Sequence, residues 1–175
     1  MSTNGRSGFK RLIVDSVASQ VIHLSDTPIL LLRLSGDWHS HGTGFKRLLV
    51  AIDGSDYSEM VLPFVRLIAQ HFSSEVLLLS VPVGNPSESY RNQIEQYLEN
   101  VAAELREDGV QTSILVEGSG PARTIVRTSQ AEMVDLIMLA TQGRGGFDKL
   151  MLGSVAERVI KNTPCPVFLV PIVEE

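Results

Sequence analysis

Cysteine is almost missing from this 175-residue chain. Cys165 stands alone, so no internal disulfide forms, and nothing points to an oxidising compartment. Long apolar runs are missing too. The stretch 29–32 is among the longest and is far too short to span a bilayer. The N-terminus lacks the apolar stretch and small-residue cleavage site of a secretory signal. Basic charge is in deficit: 15 Lys and Arg stand against 20 Asp and Glu, a net charge of −5. That excludes bulk binding to nucleic acid or to an anionic membrane, where cations must neutralise phosphate. The expectation is a soluble, cytoplasmic protein with no nucleic-acid and no membrane partner. What is present is apolar material, at 43% of residues, enough to bury a core and to exclude wholesale disorder.

The chain also repeats itself. The segment STNGRSGFKRLIVDSVASQVIHLSDTPILLLRL from Ser2 aligns without a gap on ATQGRGGFDKLMLGSVAERVIKNTPCPVFLVPI from Ala140, at a constant offset of 138. Gly5 falls on Gly143, Gly8 on Gly146, Ser16 on Ser154, Val21 on Val159 and Pro28 on Pro166. Two unrelated apolar helices would not keep their glycines in register. The organisation expected is a partial repeat at 1–34 (a helix over 10–23 and a strand over 29–33), a linker at 35–44 and one whole domain at 45–175. The linker, SGDWHSHGTG in its sequence, is rich in Gly and Ser and has no periodicity.

Within the whole domain, apolar runs at 48–52, 76–81, 112–116, 136–140 and 167–170 read as strands. Between them, helical spacing marks 58–72, 90–107, 121–131 and 149–161. Pro63 fits only in a first helical turn, and Ser55, Asp56 or Ser58 supplies a cap. Strand–helix alternation of this kind predicts an α/β fold, an open five-stranded parallel sheet with helices on both faces. Ligands in such sheets bind at the carboxyl ends of strands, where the strand order reverses. Asp53, Val81 and Ala140 lie at such ends.

The segment after the fourth strand carries the chemistry. Gly143, Gly145 and Gly146 precede Gly153-Ser154. Glycines here let backbone N–H groups approach an anion, and the next helix presents its positive end to the same place. The Ser154 hydroxyl suits a phosphate oxygen. The segment is neither a Walker A loop, since no Gly-Lys-Ser/Thr follows, nor the dinucleotide GxGxxG, which follows the first strand. On spacing alone, a loop that merely turns the chain is an equal reading.

The domain resembles the universal stress protein family over its whole length. FKRLLVAIDGSDYSE is similar to that family's first strand and loop. ATQGRGGFDKLMLGSVAERVIKNTPCPVFLV resembles its ATP-binding segment, Gly-x2-Gly-x9-Gly-Ser/Thr, with Ala140 in place of the first glycine. The resemblance implies a three-layer, adenine-nucleotide-hydrolase-like sandwich of strand order 3-2-1-4-5, whose domains pair through their fifth strands. It implies ATP, or AMP or ADP, as ligand, with magnesium on the phosphates. Asp53 would lie near the ribose and, through the nucleotide, the metal. Ala51 and Ile52 would line the adenine slot, Val81 would meet adenine by its backbone, and Leu139 and Ala140 would flank the nucleoside. Gly143, Arg144, Gly146, Gly153, Ser154 and Val155 would surround the phosphates. The function implied is an ATP-binding regulatory protein. The alternative is a module of the same family that binds no nucleotide and works by dimerisation. A slow ATPase is a third reading, but no general base and no arginine clamp is evident. In the first copy Asp15 replaces Gly153, and its carboxylate would repel phosphate. Gly153→Asp, which copies that change, is expected to abolish ATP binding and retain the fold.

Simpler readings accompany several of these residues. Asp53 at a strand end suits a turn or helix cap. Arg144 and Lys149 suit a solvated basic face. His39 and His41 are metal-ligand types but sit in a linker without orienting partners. Cys165 reads as a small buried thiol rather than a redox sensor, because no cation neighbours it. The strand of the partial repeat would leave an apolar edge open. It is expected to pair with 167–170, within one chain or between two copies, and so to support a homodimer.

Overall fold

The computed structural model describes residues 21–22, 25–32, 44–143 and 152–172. Six strands form one sheet: β1 (Ile29–Leu31), β2 (Arg47–Ala51), β3 (Glu75–Ser80), β4 (Gln111–Val116), β5 (Leu136–Ala140) and β6 (Val167–Val170). Their order is β1-β6-β5-β2-β3-β4. The five strands of the whole domain are parallel to their neighbours and follow the expected 3-2-1-4-5 order. The sheet has six strands rather than five, because β1, from the partial repeat, adds itself antiparallel to β6. The open apolar edge of β6 is therefore closed within one chain. The last-strand contact expected between two copies is already made inside one.

Alternation along the strands builds two cores. Leu48 and Val50 of β2 face one layer with Val76, Leu78, Leu136 and Met138. Leu49 faces the other with Leu79, Ile137, Leu139, Val167 and Leu169. Helices α2 (Leu62–Phe72) and α3 (Glu88–Glu107) cover the first layer through Val65, Ala69, Leu98 and Leu105. Helices α4 (Pro121–Ala131) and α5 (Ser154–Asn162) cover the second through Ile125, Ala156 and Val159. Every residue of β5 is buried, as a central strand covered on both faces requires.

The helix expected over 58–72 is divided. A single turn, α1 (Asp56–Glu59), ends at Met60, and α2 starts afresh with Pro63 in its first turn. The proline lacks the N–H that a continuous helix would use there. Ser55 caps α1 by accepting the Ser58 N–H at 3.2 Å. Among the described residues β1 covers 29–31 of the expected 29–33, and α5 starts at Ser154 within the expected 149–161. Residues 144–151, most of the first-repeat helix, and the linker with His39 and His41 lie outside the described residues.

One buried carboxylate ties the start of β2 to β5. Asp135 accepts the Lys46 and Arg47 N–H groups at 2.8 and 2.9 Å through one oxygen, and its own N–H donates to the Arg47 carbonyl at 2.9 Å. Such charge-assisted bonds offset the cost of burying the carboxylate. Nearby, the buried Cys165 thiol donates to the Val134 carbonyl at 3.3 Å. Burial, and secondarily the Asp135 charge, push its pKa up from the ordinary 9.0 to about 12. Among the described residues no helix is long and apolar enough to cross a membrane.

Candidate nucleotide site

The strand order reverses between β2, which pairs with β3 on one side, and β5, which pairs with β2 on the other. Helices leave the carboxyl ends of these strands toward opposite faces, so a crevice must open there. The structure has a cavity of about 720 Å³ at that place, within the size range of small-ligand sites. Ala51, Ile52, Asp53, Val81, Leu139, Ala140, Gly143, Gly153, Ser154 and Val155 all line it. Arg144 and Gly146 lie outside the described residues.

The lining is of two chemical kinds. Ala51, Leu79, Val81, Ile94, Pro121, Ile125 and Leu139 are apolar. Asp53, Thr141, Gln142, Ser154 and the backbone of Gly143 and Gly153 are polar. Asp53 is the only charged residue among the described lining. Its Oδ1 accepts both the Ser55 N–H at 3.0 Å and the Ser55 hydroxyl at 2.6 Å. Its N–H donates to the Ser58 hydroxyl oxygen at 3.2 Å. Ser55 thus holds one carboxylate oxygen, and the other lies against Gly143. A Cβ built on Gly143 would stand 2.5 Å from Asp53 Oδ2. Asp53 is therefore both the turn-former of the simpler reading and a cavity wall.

The glycines owe their identity to close approach. Gly153 has an extended backbone, φ −58 and ψ 144, which any residue adopts. Its N–H donates to the Thr141 carbonyl at 2.7 Å, and a Cβ there would meet that same oxygen at 2.9 Å. The Gly153 N–H is consequently engaged with the chain. The α5 start carries no side-chain cap, and the first-turn N–H groups of a helix lack partners within it. The clash also corrects the design of Gly153→Asp. Any side chain at 153 pushes on backbone, so this change disturbs the loop as well as adding charge.

Several lining residues escaped the sequence reading: Ser58, Ser80, Tyr90, Thr141 and Gln142. Tyr90 opens the helical spacing expected over 90–107 and so reads as one of its apolar stripe, yet it is 37% exposed and lines the cavity. The available signal was its position: the first turn of a helix that follows a strand faces the same crevice.

The sequence model of the universal stress protein family matches residues 44–171. The chain belongs to the universal stress protein family. It is 34% identical over 139 residues to a universal stress protein of Methanocaldococcus jannaschii, covering 72% of this chain and 82% of the relative. It is also 34% identical over 141 residues to one from Thermus aquaticus, covering 72% and 98%. A longer relative from Mycobacterium tuberculosis aligns with 97% of this chain at 28% identity, and this chain spans 60% of it. Among solved structures, a universal stress protein from Archaeoglobus fulgidus superposes with a TM-score of 0.67 at 24% identity, covering 96% of this chain and 58% of that one. Another from the same organism, solved in complex with dAMP, gives 0.60 at 22% identity, covering 71% and 97%.

Proposed function

We propose that this universal stress protein is an ATP-binding regulatory protein, with adenine against the apolar lining and phosphates at the start of α5. The observation that carries the reading is the convergence of ten residues, named from the sequence and its family resemblance, on one cavity with both apolar and polar lining. The dAMP complex of the Archaeoglobus fulgidus relative supports an adenine nucleotide as the ligand class.

Asp53 sets a condition on the phosphates. A carboxylate and a triphosphate repel each other unless a cation lies between them. Magnesium takes one or two carboxylates together with substrate phosphates, which suits a site with a single acidic wall. The cation would arrive on the nucleotide. Asp53 would hold the metal side of the phosphates or a ribose hydroxyl. No residue is assigned a catalytic role. The reading as a pure dimerisation module fits less well, because β1 already occupies the β6 edge.

The test is to denature the purified protein, chromatograph the supernatant for released nucleotide, and titrate the stripped protein calorimetrically with ATP. Stoichiometric nucleotide, or micromolar affinity near −8 kcal/mol, is expected. Repeating the titration with EDTA should weaken binding in the wild type and much less in Asp53→Asn. No released nucleotide and no heat of binding would overturn the reading.

A further inference from the structure

The cavity is not confined to the face of the sheet on which α5 packs. Leu79, Ile125, Leu139 and Ala156 of its lining belong to the second core layer, but Ile52 and Ile94 belong to the first. The two layers lie on opposite faces of the sheet, so the cavity crosses the strand ends and reaches the α3 side. Ile52, Ser80, Tyr90 and Ile94 wall this arm, and none of them is charged. Ser80 is the last residue of β3. Val76 and Leu78 face the first layer and Leu79 the second, so alternation turns Ser80 toward the first. It is only 5% exposed, yet its hydroxyl bonds to no described residue and opens on the cavity. Ser58 is the contrast: it is as deeply buried, but its hydroxyl donates to the Ser55 carbonyl at 2.8 Å and accepts the Asp53 N–H. A buried hydroxyl left without a partner is costly, so Ser80 calls for a ligand atom.

The next residue fixes what lies beside that hydroxyl. The Leu79 carbonyl accepts the Ile52 N–H at 3.1 Å, so Leu79 turns its backbone groups toward β2. Val81, two residues on, turns its N–H and C=O to the same side, past the end of β2. Neither group bonds to a described backbone group, and Val81 lines the cavity. A donor beside an acceptor matches the ring nitrogen and amino group of adenine, and such backbone groups demand partners. We propose that the α3-side arm is a subsite for an uncharged, mainly apolar substituent on that amino group, with Ser80 bonding to a polar atom within it. The proposal rests on the nucleotide reading and extends it, because it names amino-substituted adenosine phosphates as ligands. A singly substituted amino group keeps one N–H for the Val81 carbonyl. Ile52 and Ile94 stabilise buried carbon, and an unpaired carboxylate or phosphate would not enter a wall of this kind.

Titration calorimetry on the stripped full chain tests this with three probes: ATP, ATP benzylated on the base amino group, and ATP carrying a hydroxyethyl group there. In the wild type the benzyl analogue is expected to bind about tenfold tighter than ATP. Each buried CH2 is worth about fourfold in affinity, and ordering the ring offsets part of that gain. Ser80→Val fills the arm, and should bring the benzyl-to-ATP affinity ratio down to one or below. Ser80→Ala keeps the arm open but removes the hydroxyl. It should preserve the preference for benzyl and lower the hydroxyethyl-to-ATP ratio about fivefold, the effect of one lost hydrogen bond. The wild-type comparison stands even if a variant fails to fold. ATP binding with both analogues weaker, or a benzyl preference untouched by Ser80→Val, would overturn the subsite and leave the nucleotide reading intact. No binding by any of the three probes would overturn that reading and the subsite with it.

Discussion

Gly143→Ala separates two explanations of the same glycine. In one, the glycine exists so that phosphate can approach the backbone. In the other, it exists so that Asp53 can stand where it does. The added methyl would lie 2.5 Å from Asp53 Oδ2 and 3.3 Å from Cγ, roughly 1 Å closer than non-bonded atoms tolerate. Asp53 does not yield freely, because Ser55 holds Oδ1 with two hydrogen bonds. Hydrogen bonds to a charged group contribute about 1.5–3 kcal/mol each when buried. This carboxylate is half-buried, so a combined loss of about 1–2 kcal/mol is the sensible figure, with the exposed part screened by solvent. For a chain of this size that lowers the melting temperature by about 2–8 °C. Loss of one charge-assisted contact to the ligand costs about 1.5–3 kcal/mol, roughly a ten- to hundredfold loss of nucleotide affinity. The assay is a double-mutant cycle with Asp53→Ala, read by titration calorimetry and thermal melting. If Gly143 serves Asp53, the alanine costs little once the carboxylate is gone, and the coupling exceeds about 1 kcal/mol. Additive losses would refute the argument and return Gly143 to the phosphate.

Ser55→Ala should weaken nucleotide binding several-fold without touching the cavity wall, and Ser55→Thr should restore it, since the hydroxyl that orients Asp53 returns; calorimetry on the three proteins decides. Asp135→Ala should cost about 1–3 kcal/mol in urea unfolding, because it strands the part-buried Lys46 and Arg47 N–H groups, while leaving nucleotide affinity unchanged. The Cys165 thiol should resist thiol reagents at pH 8 in the native protein and react in denaturant. Its raised pKa has a further consequence. The unfolded chain loses this proton near pH 9.0 and the folded one only near 12, so the thiol's contribution is intact below pH 9 and is lost as pH rises between those values. Cys165→Ala should flatten that alkaline part of the stability curve.

The sequence determined by itself what periodicity and composition encode. Five buried runs separated by amphipathic helices specified a parallel sheet, and the bounds of α4, β5 and β6 matched the observed elements. Each of these turns on neighbours along the chain: apolar alternation, Pro121 in a first turn, a turn signal after each strand. The gap-free repeat likewise marked β1 as a copy of β6. Part of the cavity wall was legible as well: Asp53, Val81 and Ala140 from their places at strand ends beside a reversal of strand order, and seven more from the family resemblance. Tertiary structure alone decided matters that depend on distances across the fold. Gly143 and Gly153 read as a phosphate cradle, yet among the described residues a side chain at them would meet Asp53 and Thr141 first. The sequence holds no record of how closely a carboxylate or a carbonyl will approach. Tyr90 hid in the α3 stripe because helical spacing cannot tell a core face from the lip of a crevice. The sixth strand settled within the chain for a similar reason. An apolar edge demands a partner, but which strand meets it depends on where β1 is held in space.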